Sequence, residues 1–171
     1  MVKIETVSTV ALPVVAGALY LGEFDLDGAI QDPTNPVAAA KLGIPFFARP
    51  NAVQFKYAFK SGEQLVQAEL KDPGNLFGGF NVTDLEGKDK FGVQAVLEKR
   101  KGSIIELIAK VSFESNEDIE TPTELKLNLQ YFSEEEPTHF YISFSPSLDG
   151  GTFKGAVGSI LIIDDIQLIY E

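Results

Sequence analysis

The chain has 171 residues, 44% hydrophobic and 23% charged, with a net charge of −11 at neutral pH. These values suit one globular domain over residues 1–171 and make nucleic acid and anionic membrane poor partners. With no Cys and a single His, His139, the chain excludes disulfides, thiolate catalysis and Cys-based zinc, and it leaves little for His-dependent triads.

No apolar run reaches membrane-spanning length, and the opening MVKIETVSTV lacks the basic and apolar regions of a secretory signal. Residues 2–10 alternate loosely and are rich in Val and Thr, which predicts a strand. Residues 18–24 predict a second. An acidic loop follows over 25–33, without the spacing of a helix-loop-helix calcium site. Asn35 as a cap, Pro36 at the first helical position and Gly43 at the exit predict one short helix over 35–43.

Within 51–59, Val53, Phe55, Tyr57 and Phe59 alternate with Ala52, Gln54, Lys56 and Ala58, giving a strand with one aromatic face. A turn at Ser61 and Gly62 leads to a strand over 64–70. Residues 71–90 carry repeated Gly and Pro breakers and predict the least regular stretch; the Asn81-Val82-Thr83 match to a glycosylation acceptor inside it is too short to weigh.

Residues 91–97 and 103–113 predict a hairpin around a charged turn at 98–102, followed by an acidic loop over 114–122. From 125 to 131 the alternation is regular. Leu125, Leu127, Leu129 and Tyr131 should point inward, with Lys126, Asn128 and Gln130 outward.

The chain is organised around its end, residues 139–171, where two apolar β-branched runs flank a Gly- and Ser-rich turn. Past Ser159 the second run is interrupted only by Asp164, Asp165 and Gln167, so it reads as an inner strand covered on both faces. By alternation Asp164 shares a row with Ile160, Ile162, Ile166 and Leu168, while Asp165 shares one with Leu161, Ile163 and Ile169. Unless a bulge shifts the register, one carboxylate falls in an apolar row, where it needs partners. The expected partners are backbone N–H groups of the 150–158 turn. Calcium held with loop oxygens is the alternative, and the one cofactor the sequence leaves open. Some eight or nine short strands with one short helix predict an all-β fold, a β-sandwich or jelly roll.

Chemistry is sparse. There is no phosphate-binding Gly loop, dinucleotide fingerprint or nucleophile elbow. The carboxylates at 114–124 and 134–136 read as solvated loops rather than a glycosidase pair. Tyr20, Tyr57 and Tyr131 are the candidate ligand-contacting aromatics, with core packing as the alternative for each.

Four segments, in order, carry a resemblance: residues 17–24 (GALYLGEF); 43–57, with GIPF, RP and KY; FSPS at 144–147 continuing through Gly155; and FKGAVGSILIIDDIQLIY at 153–170. Together they resemble the putative carbohydrate metabolism domain family over nearly the whole chain. That resemblance implies a galactose-binding-like jelly roll with a non-catalytic, carbohydrate-linked role in secreted or outer-surface proteins, lipoproteins among them, of Gram-negative gut bacteria. A glycan or other cell-surface proteins are the implied partners. A structural or adhesive envelope domain without a small ligand is the alternative, and a jelly-roll glycoside hydrolase or lyase the third reading. Family members carry residues ahead of the first matched segment, including an aromatic-rich strand, so the N-terminus reads as trimmed, and a calcium site that needs that strand is in doubt.

Overall fold

Alternation of large apolar and polar side chains along most of the chain forces pairs of antiparallel strands that each hide one face. The computed structural model describes residues 1–25, 27–28, 39–72, 75 and 78–170. Its early strands are β1 (Val2–Val7), β2 (Val15–Ala16), β3 (Leu19–Tyr20), β4 (Gly22–Phe24), β5 (Ala40–Leu42) and β6 (Ile44–Pro45). The middle holds β7 (Ala52–Lys60), β8 (Leu65–Leu70), β9 (Phe80–Leu85), β10 (Phe91–Lys101) and β11 (Ile104–Ser115). Then come β12 (Ile119–Asn128), β13 (Gln130–Tyr131), β14 (His139–Ser145), a 3-10 turn at Gly150–Thr152, β15 (Lys154–Ala156) and β16 (Ile160–Ile169).

Two antiparallel sheets make the body. One runs β12-β7-β16-β1-β2; the other runs β13-β11-β10-β14-β3, with β6 also on β14. A small sheet, β15-β8-β9, and the β4-β5 hairpin complete the described part. The fold is all-β, as the sequence predicts.

The core lies between the two large sheets, where aromatic rows interdigitate. Phe55 of β7 meets Phe144 of β14 edge-on at 5.2 Å, and Phe59 meets Phe91 of β10 at 4.9 Å. Leu127 and Leu129 are buried while Lys126, Asn128 and Gln130 are exposed, as alternation requires. The regular 125–131 run nevertheless serves two sheets. Its first part pairs with β7; after Leu129, β13 pairs with β11. One strand pattern thus turns a corner between the layers.

Several boundaries differ from expectation. The charged 98–102 segment is not a turn: β10 continues to Lys101, and only Gly102, at φ +61°, with Ser103 makes the bend. Charges are compatible with strand here because the hairpin tip extends past the core. Residues 80–85, expected to be irregular, form β9, an edge strand against β8. Most of the expected acidic loop at 114–122 is strand as well, leaving residues 116–118 between β11 and β12. In the proposed helix, residues 35–38 lie outside the described residues, while Ala40–Leu42 is strand β5, paired with β4. Over 40–42 pairing with β4 prevails over the local helix signal. The acidic loop lies mostly outside the described residues too; Asp25 pairs with Lys41 at 2.8 Å.

The terminal strand β16 is central, between β7 and β1, with Leu161 and Ile163 turned to the core and Ile160 and Ile162 half-buried on the outer face. Its outer cover is therefore only partial. Between Asp164 and Gln167 it gains one residue relative to β7: Asp164 faces Lys56, but Gln167 faces Gln54. Asp165 takes the left-handed conformation there, φ +51°, which Asp tolerates better than β-branched residues. Parity flips at this bulge, so Leu168 opposes buried Val53 and packs on the core.

The bulge turns Asp165 out of the core-facing row, while Asp164, which precedes it, ends the half-buried outer row of Ile160 and Ile162. Contrary to expectation, neither carboxylate locks the 150–158 turn. Asp164 pairs with the Met1 amino group at 2.8 Å and Asp165 with Lys56 at 2.7 Å, both at the surface.

Candidate functional site

Residues directly opposed across paired strands share a face. On the second large sheet, register places Tyr20 (β3), Ser143 (β14), Gln94 (β10) and Ser112 (β11) in one row. The row beneath the core-facing side is Leu19, Phe144, Val93 and Phe113, so the Tyr20–Ser112 row must point outward. It forms the floor of a bowl of about 980 Å³.

The bowl's walls are apolar. At one end Leu148 lies over Gly92; a Cβ on Gly92 would overlap the Leu148 Cδ1, so glycine makes this wall possible. At the other end stand Phe24, Ala40 and Leu42 of the β4-β5 hairpin. Residues 14–18 close the side next to β3. The pattern, a few polar groups on a mostly apolar concave surface, is that of a small-molecule site.

The polar floor is pre-arranged. Tyr141, one row from Gln94 on the same face, donates its hydroxyl to Gln94 Oε1 at 3.2 Å. Burial, aided by the negative Glu98, pushes the Tyr141 phenol pKa up, while Arg100 opposes the shift; the phenol is a neutral donor at all ordinary pH. That bond engages Oε1 and helps to hold the Gln94 amide in the floor of the bowl. Among the described lining residues Glu114 is the single carboxylate, and it pairs with Lys90 at 2.9 Å on the exposed rim.

Of the aromatics singled out from sequence, only Tyr20 reaches the bowl. Tyr57 is core, enclosed by Phe55, Phe91 and Phe113, and burial followed by the charge of Glu117 raises its pKa. Tyr131 lines a separate shallow hollow of about 420 Å³ with Arg49, Phe132, Ser133 and Glu134. The Arg49 guanidinium covers its ring at 4.4 Å, and its hydroxyl donates to the Pro50 carbonyl at 2.7 Å. His139 shares a hydrogen bond with Thr138 at 2.9 Å and does not line the bowl. Among the described residues, no three His, Asp or Glu side chains converge as a metal set.

A residue that sequence reasoning passed over fills the role expected of Asp164 or Asp165. Asp89 is 4% exposed. Its Oδ2 accepts from Ser147 Oγ at 2.6 Å, from the Ala156 N–H at 2.7 Å and from Ser159 Oγ at 2.7 Å. Its Oδ1 accepts from the Lys90 N–H at 2.8 Å. Buried Thr6 of β1 joins through Ser147. One carboxylate thereby ties β1, the 147–150 wall of the bowl, β15 and the entry to β16.

Solved structures with the same fold include two proteins, each named a putative glycoside hydrolase. One, from Bacteroides thetaiotaomicron, is 25% identical with a TM-score of 0.79, and the match covers 99% of this chain and 53% of that one. The other, from Bacteroides vulgatus, is 24% identical with a TM-score of 0.77, covering 99% and 72% respectively. The chain thus spans about half the length of the first. No curated protein matches. The model of the putative carbohydrate metabolism domain family matches residues 1–169. On that match, across almost its full length, the chain belongs to the putative carbohydrate metabolism domain family.

Proposed function

We propose that this domain is a non-catalytic carbohydrate-binding module, carried by a secreted or outer-surface bacterial protein, with the bowl as its site. The observation that carries the reading is the Tyr20–Ser143–Gln94–Ser112 row inside apolar walls. A sugar ring presents apolar C–H faces and equatorial hydroxyls, so it needs both an aromatic or aliphatic surface and fixed hydrogen-bonding groups. Tyr20 and Leu42 supply the first; Gln94, Ser143 and Ser112 supply the second. The net charge of −11 favours an uncharged glycan over a sulfated or uronic one.

A glycan array followed by calorimetry tests it. Gln94→Ala and Tyr20→Ala should each weaken binding by about tenfold or more, the loss of one well-placed hydrogen bond or ring contact. Silence across plant and host polysaccharides would sink the reading in favour of a structural or adhesive domain.

The names of the two structural neighbours favour a second reading, glycoside hydrolysis. That chemistry ordinarily needs two carboxylates facing one bond. Glu114 is the single described carboxylate on the bowl, and Lys90 neutralises it. Release of reducing ends from a polysaccharide, abolished by Glu114→Gln, would establish the hydrolase and overturn the module.

A further inference from the structure

The shape of the bowl limits how a chain can lie in it. Resting on the carbohydrate-binding reading above, we infer that the site takes the end of a glycan chain and not an internal segment. An internal segment must enter and leave, so it requires a groove open at two ends.

Along the strand direction both ends are shut. At the first, Leu148 covers Gly92, and the Leu148 N–H is fixed to the Lys90 carbonyl at 2.7 Å. The next turn is equally fixed, since Gly150 is packed so closely on Ala16 that a Cβ there would overlap it. At the second, Val96 belongs to the outward-facing set with Gln94 and Glu98, yet it is only 2% exposed. The Leu42–Gly43 corner sits over this part of the sheet: Arg100 donates to the Leu42 carbonyl at 2.7 Å, and Glu98 holds the same guanidinium at 2.7 Å. Gly43, at φ +105°, lies so near the guanidinium that a side chain would displace it. The open floor therefore runs from Gly92 to Val96, four residues or about 13 Å at strand rise.

Across the strands one side is shut by residues 14–18 beyond β3. The other is open. β13 pairs with β11 only at Ala109 and Lys110, so among the described residues no strand lies beyond Ser112 and Glu114, and both are exposed. A chain can enter over that edge, and its leading sugars then reach the Tyr20 end of the floor and the 14–18 wall.

Calorimetry with di-, tetra- and octasaccharides of xylan, arabinan, mannan and starch, beside the parent polysaccharides, tests this. The expected result is one protein bound per chain at every length, with affinity per chain constant within about twofold beyond the tetrasaccharide. Capping or oxidising the terminal sugar at one chain end should abolish it. A stoichiometry that climbs with chain length, or binding indifferent to modification of either terminus, overturns chain-end recognition and leaves the carbohydrate reading standing. No binding to any of these polymers or their oligomers overturns both.

Discussion

Asp89→Ala is the most informative single perturbation of the fold. The carboxylate is 4% exposed and accepts four hydrogen bonds, three of them at 2.6–2.7 Å on one oxygen. Truncation leaves the Ala156 N–H without an acceptor, and Ser147 and Ser159, 1% and 0% exposed, must re-pair in place. A buried donor left unmet costs about 1–3 kcal/mol. Two such groups, less some relief from no longer burying a charge, give about 2–5 kcal/mol.

For a chain of this size that shift lowers Tm by about 5–15 °C. With no Trp in the sequence, urea unfolding is followed by far-UV circular dichroism. Asp89→Asn keeps the shape and one acceptor oxygen but turns a donor toward other donors, so it should fall between Ala and the parent. A loss under about 1 kcal/mol for Asp89→Ala would refute the argument, because it would mean the donors find other partners.

Leu127→Ala, in the core layer near its rim, should destabilise by about 2–4 kcal/mol in the same assay. At the β16 bulge, Asp165→Gly should be near neutral, whereas Asp165→Val should lose about 1–2 kcal/mol from the left-handed backbone alone; equal effects would mean the bulge is not fixed. Lys88, then the Ser61 N–H, depress the Asp118 pKa, and Lys99 does the same for Glu135. Their folded-state pKa values lie below the unfolded ones, so both stabilise the fold above the ordinary carboxylate pKa near 4 and lose that contribution as pH falls through the depressed values. Stability measured from pH 6 down to 2 should therefore fall, and Asp118→Asn should flatten the fall; an unchanged slope would show that Asp118 titrates alike in both states.

The fold was legible wherever side-chain period alone decides. Residues 51–59 and 125–131 alternate cleanly, and their core faces are as the pattern requires, although Ala52 and Ala58 on the second face of 51–59 are buried too. The pattern failed where local composition and tertiary pairing disagree. Glu98, Lys99, Arg100 and Lys101 resemble a turn in sequence, but the long β11 opposite them supplies a ladder, and ladder bonds do not depend on side-chain polarity. Asp164 and Asp165 show the converse. Alternation assumes an unbroken register and so places one of the two among apolar neighbours; one inserted residue turns Asp165 outward, and both carboxylates end as surface ion pairs. A bulge is one of the resolutions open to the sequence, which gives no way to choose it.

The site was half legible for a different reason. The outward row of β14, His139, Tyr141, Ser143 and Ser145, follows from alternation in a strand whose inward row is Phe140, Ile142 and Phe144. What alternation cannot say is which of two outward faces is walled. That depends on Leu148 finding a glycine at Gly92, and on Arg100 finding the Leu42 carbonyl, contacts 56 and 58 residues apart in the chain. Asp89 belongs to the same long-range logic. It lies next to Lys90 in a segment that looks like solvated loop, and its acceptors' worth appears only when Ser147, Ala156 and Ser159 are brought around it. Since Ser147 directly precedes Leu148, the carboxylate that secures the terminal strand also sets the end wall of the bowl. Fold stability and the shape of the bowl therefore meet at one buried group.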